Sequence, residues 1–168
     1  MITRNIFSDI IFISVLAVFQ VVVLSRVNIL GEYTPVMYPM FVMFYPFFRN
    51  KYIFLLLSFL LGFVIDANIG TWGVNAFATI LIAYFRTIIF RTSTDSDTDF
   101  FSFQSIQWSQ FIFFILMSVF LHQFIVQFLE YFKLSRAVDI LINVCITSII
   151  SFFFILVYAI AFRITEKV

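Results

Sequence analysis

Charged residues are sparse along this chain, and their spacing fixes most of what it can become. Uncharged apolar stretches lie between Asp9 and Arg26, between Glu32 and Arg49, and between Lys51 and Asp66. A fourth, interrupted by Arg86, runs from about Val74 to Phe90; a fifth covers Gln107–Leu129 and a sixth Ile140–Phe162. Only 11% of the 168 residues are charged and 63% are hydrophobic, whereas an ordinary soluble domain carries about 25% charged residues. A chain of this length can build one core but lacks the polar surface to cover it in water. With 27 Phe, 7 Tyr and 2 Trp it would collapse rather than stay disordered. The chain therefore reads as an all-α polytopic membrane protein with one transmembrane domain over residues 1–168.

A helix needs about 20 residues to cross the hydrocarbon core. The last two stretches reach that length. The others are shorter and are lengthened by residues such as Asp9, Arg26 or Arg86, with their charges held at the interface. The expected spans are 8–25, 33–48, 50–66, 73–90, 107–129 and 140–162. Pro35, Pro39 and Pro46 frame the second, and an internal proline removes a helical hydrogen bond. Segments two and three thus read either as ordinary helices or as a kinked, partly re-entrant pair, with five spans the competing count. Period-two alternation is not sustained anywhere, which excludes a β-barrel. The first run leads into Ser25, Arg26, Val27 and Asn28 without a small-residue cleavage site, and reads as a retained helix rather than a signal peptide.

With the N-terminus inside, Arg4, Arg49, Lys51, Arg86, Arg91, Arg163 and Lys167 fall on the inner side, and Arg26, Lys133 and Arg136 on the outer. The positive-inside rule then puts both termini in the cytoplasm, as six spans require. The connection Arg91–Asp99 reads as a solvated loop; its acids lack the glycine turn and terminal glutamate of an EF-hand. The segment Glu130–Asp139 reads as a short outer loop of mixed charge.

Few residues invite chemistry. Cys145 is the single cysteine and sits in an apolar run, where it reads as a small buried hydrophobe. His122 is the single histidine and has no Cys, Asp or Glu companions for a metal site. It reads as an interhelical hydrogen-bonding or interfacial group; Gln123 and Gln127, one and five positions on, do not share one tight face with it, and all three, with Gln20 and Asn75, read as interhelical or partner-facing polar residues. No nucleophilic triad, phosphate-binding loop or thiol pair can be assembled, and no basic stripe suggests nucleic acid. The expectation is a protein with no catalytic residues, metal or cofactor.

The most informative stretch is Leu61–Ala76, LGFVIDANIGTWGVNA. Gly62 and Asp66 are four apart and share a helical face. Asn68, Gly70, Thr71 and Gly73 make a tight connection into the fourth helix, where Gly73, Ala76 and Ala83 allow close packing. Asp66, placed near the outer end of the third helix, is expected to accept hydrogen bonds from the free N–H groups that start the fourth. The bland reading is a structural cap. The competing one is a polar pocket of Asp66, Asn68, Asn75 and Gln20 for a small ligand, against which stands ordinary interhelical hydrogen bonding.

The pattern Gly62-x-x-x-Asp66-x-x-x-Gly70-x-x-Gly73-x-x-Ala76, after a proline-containing second segment, resembles the MreD family of bacterial rod-shape-determining membrane proteins. Chain length and the hydrophobic multispan layout are similar as well; the phenylalanine-rich composition and short second and third helices depart from it. The resemblance implies a multi-pass, non-catalytic inner-membrane component of the cell-elongation machinery, organising peptidoglycan synthesis and cell shape. Its partners would be the bitopic scaffold MreC and, through the wider complex, the actin-like MreB filament, the RodA glycan polymerase and its transpeptidase, all within membrane lipid. The fold it implies is similar to the substrate-binding subunits of energy-coupling-factor transporters.

Overall fold

The computed structural model describes residues 6–29, 31–46, 50–91, 107–131 and 137–165. The expected loop residues 92–99 and 132–136 lie outside the described residues. Helix α1 (Ile6–Val18) continues through a π-turn (Phe19–Val23) and a 3₁₀ turn (Leu24–Arg26). It is followed by α2 (Met40–Phe44), α3 (Lys51–Ile69), α4 (Val74–Arg91), α5 (Trp108–Glu130) and α6 (Ala137–Thr165). Among the described residues there is no strand, only an isolated bridge between Ile29 and Tyr33 around Gly31.

Four helices are long and apolar enough to cross a membrane: Ile6–Arg26, Lys51–Ile69, Trp108–Glu130 and Ala137–Ala161. Residues Val74–Ile89 of α4 form a shorter apolar helix. Burial is distributed as lipid demands. Phe7, Phe113, Phe153 and Val157 point outward, whereas Ser58, Thr79, His122 and Ser151 are among the most buried residues. In water such an arrangement would expose the wrong groups; in hydrocarbon it keeps these polar side chains away from the solvent. The protein is an all-helical membrane protein.

The expected helix over 33–48 does not form. Residues 34–37 have no regular secondary structure, and only Met40–Phe44 are helical. The prolines explain this. A residue before proline is pushed out of the α region, and Tyr45, just before Pro46, is indeed extended at ψ 136°. Pro39 caps α2 at its N-terminus, where its missing N–H costs nothing. Residues 38–45 are all buried, so the unwound backbone lies among the helices rather than against lipid. Its polar groups are met by side chains from distant elements. The Gln20 amide donates to Pro35 O at 3.1 Å and accepts from Met37 N–H at 2.8 Å. Ser151 Oγ accepts from Val36 N–H at 2.9 Å.

This traverse passes between two levels of the bundle. At one end Tyr38 meets Asn75 of α4 and His122 of α5. At the other, Phe41 and Tyr45 pack on Phe54 of α3, and Phe44 on Phe111 of α5 and Tyr158 of α6. The second level is an aromatic core, joined by Phe12 of α1. Arg86 and Asp9 are both buried within the protein. The Arg86 guanidinium donates to Tyr45 O and lies 5.1 Å from the Phe54 ring centre, so a backbone carbonyl and a π-face replace part of its hydration.

Candidate functional site: the α3–α4 hairpin and its polar relay

Helices α3 and α4 form the most extensive helix pair of the fold, and Asp66 joins both of their ends. Its main-chain carbonyl accepts from Gly70 N–H (2.8 Å) and Thr71 N–H (3.1 Å), which closes α3. Gly70 makes this possible by adopting a left-handed conformation, φ +82°, at the helix end. The Asp66 carboxylate then starts α4. Oδ2 accepts from Ala76 N–H at 2.8 Å, and Oδ1 from Asn75 N–H at 3.0 Å, Asn75 Nδ2 at 3.0 Å and Thr71 Oγ1 at 2.5 Å. A helix N-terminus carries unsatisfied N–H groups and partial positive charge, so a carboxylate is well placed there. Four donors fill about the number of lone-pair sites a carboxylate has. The chemistry open to Asp66 is that of an anchor.

From Asp66 a chain of hydrogen bonds runs inward. Asn75 Nδ2 also reaches Thr71 Oγ1 (3.0 Å), and Asn75 Oδ1 accepts from Tyr38 OH at 2.7 Å. Tyr38 OH lies 2.9 Å from His122 Nε2. Thr79 Oγ1 donates to Asn75 O (2.6 Å) and sits 3.5 Å from His122 Nε2. The relay thus links α3, α4, the traverse and α5, with Asp66, Tyr38, Thr79 and His122 all buried.

The residues singled out in the sequence divide accordingly. Gly62, Asp66, Gly70, Gly73 and Ala76 all belong to the hairpin: Gly62 backs directly onto Ala76, and Gly73 turns the chain with φ +82°. Asn75 and His122 are brought together through Tyr38. Asn68 is not part of this group; it is exposed and its Nδ2 donates to Val64 O of its own helix at 2.7 Å. Gln20 serves the traverse instead of the hairpin. Gln123 is buried on α5, and Gln127 reaches Thr147 Oγ1 of α6 at 3.3 Å. The pocket imagined from Asp66, Asn68, Asn75 and Gln20 is therefore not assembled. Cys145 is exposed, not buried as its apolar run suggested. Sequence reasoning missed Tyr38, Thr79 and Ser151, which carry no local pattern. Tyr38 lay between two prolines, and that was the available signal for an unwound, polar-contacting backbone.

An apolar groove of about 630 Å³ runs along the same hairpin. Phe59 and Phe63 of α3 and Phe77 and Ile80 of α4 wall it, with Asp66, Thr71 and Trp72 also lining it. Trp72 is 99% exposed at the turn. Among the described residues no three His, Cys, Asp or Glu side chains converge as metal ligands. Neither a protein-family model, nor a curated protein, nor a solved structure matches the chain.

Proposed function

We propose that this protein is a non-catalytic scaffold of the bacterial inner membrane, of the MreD type, that holds a bitopic MreC-type partner at the cell-elongation machinery. The observation that carries this reading is the use made of Asp66. The one acid of the hairpin motif spends all four hydrogen bonds on fixing two helix ends, which suits a rigid presenting element better than a reactive centre. The groove beside it and the exposed Trp72 give that element an apolar face at one end of the bundle. Trp and Tyr favour the membrane–water interface, so the Trp72 turn sits at the outer surface in this reading. The traverse counts as the second crossing, giving six crossings and two cytoplasmic termini in agreement with the distribution of Lys and Arg.

Isolation of the solubilised protein from its native membrane, with partners identified by mass spectrometry, tests the proposal. Repeated recovery of a bitopic periplasmic protein together with wall-elongation proteins is the expected result. Recovery with transporter ATPase subunits and without elongation proteins would overturn it in favour of a small-molecule capture subunit.

A further inference from the structure

His122 is the single histidine of the chain, and the relay around it decides which ring nitrogen carries the proton. Asp66 and Thr71 accept from Asn75 Nδ2, which turns the amide so that Oδ1 faces Tyr38. An amide oxygen only accepts, so Tyr38 donates its one hydroxyl hydrogen there. The Tyr38 oxygen must then accept from His122, which places the imidazole proton on Nε2. Thr79 has likewise given its hydrogen to Asn75 O and can only accept from Nε2. The consequence is a bare acceptor at Nδ1, buried and without a hydrogen-bond partner among the described residues.

It is not alone. Gln123 Nε2 on the next residue, Gln127 Oε1 one turn further along α5 and Ser148 Oγ on α6 are likewise buried and unpartnered among the described residues. The Gln127–Thr147 contact puts Gln127 on the seam where α5 meets α6, with Gln123 one turn before it; His122 meets the traverse through Tyr38, and Ser151, one turn from Ser148, meets it through Val36 N–H. A buried polar atom left unpaired costs about 1–3 kcal/mol, and internal water usually meets such groups with about three hydrogen bonds. Exposures of 1% for His122, 4% for Gln123 and 2% for Ser148 exclude a larger guest from outside.

We infer that the seam between α5, α6 and the traverse is a built site for internal water, anchored by donation to His122 Nδ1 and acceptance from Gln123 Nε2. It supplies from within the hydration that these polar side chains of α5 and α6 cannot draw from lipid. The inference goes beyond the scaffold reading and does not depend on it.

The test uses the full chain with ¹⁵N-labelled histidine in deuterated lipid bilayers, where solid-state magnetic resonance sees one imidazole. The expected spectrum shows a neutral ring protonated at Nε2, with polarisation passing from water protons to Nδ1. A ring protonated at Nδ1, or an Nδ1 that receives nothing from water, overturns the inference. In Gln123→Leu, loss of the transfer to Nδ1 with the Nε2–H signal kept is expected; undiminished transfer overturns the assigned role of Gln123. The wild-type spectrum decides the matter by itself if that variant fails to fold.

Discussion

Gly62 of α3 lies directly against the backbone of Ala76 in α4: a Cβ added at Gly62 would stand 2.5 Å from Ala76 Cα and 2.7 Å from Ala76 N and Asn75 O. The obstacle is main chain, which cannot rotate away as a side chain would. The same approach brings Asp66, one helical turn further on, within reach of the first N–H groups of α4. Helix spacing and helix capping are therefore one feature.

Gly62→Ala is expected to push α3 and α4 apart and to destabilise the protein by about 1–3 kcal/mol, the usual scale of overpacking. Thermal unfolding in detergent should show a clearly lowered midpoint. An unchanged midpoint would show that the hairpin has slack that its geometry denies.

Asp66→Leu removes the acceptor for four donors, two of them backbone N–H groups that no other residue meets in the hairpin. Hydrogen bonds to a charged group contribute about 1.5–3 kcal/mol each, and not additively. The variant should lose more stability than Asp66→Asn, which keeps one accepting oxygen. Equal midpoints for wild type and Asp66→Leu would contradict the anchor role.

Gln20→Leu leaves Pro35 O and Met37 N–H without their partner at the core of the fold. Each unsatisfied group costs about 1–3 kcal/mol. The direct readout is hydrogen exchange at the Met37 amide, which should become faster while exchange within α3 stays as it was. Unaltered protection at Met37 would mean that the traverse is held by other contacts.

Gly70 has no atom near the position of an added Cβ, so its requirement is conformational, set by φ +82°. Left-handed backbone costs a non-glycine residue about 1–2 kcal/mol, with Asn better tolerated than others. Gly70→Asn should therefore unfold at a higher temperature than Gly70→Val. The reverse order would place the constraint in packing.

The hairpin was legible because its contacts are local. Gly62, Asp66, Gly70, Gly73 and Ala76 sit within one short stretch, and helical geometry alone puts Gly62 and Asp66 on one face. Three other spacings failed for identifiable reasons. The apolar run over 33–48 matched a span in composition, but proline geometry overrode hydropathy. Arg86 was expected to keep its charge in water, yet its guanidinium is buried and meets Tyr45 O and the Phe54 ring. Asn68 was grouped with Asp66 by proximity in sequence, although it faces outward from its helix.

Composition and the spacing of charges determined by themselves that lipid is the solvent and helices the elements, since both follow from transfer energies and backbone satisfaction summed over each segment. Only the tertiary structure decided where the interior polar groups go. Tyr38 reaches Asn75 across 37 positions and His122 across 84, and Val36 finds Ser151 across 115. A hydrogen bond depends on distance and direction between two atoms, and along a folded chain neither is encoded in the separation of the residues that supply them.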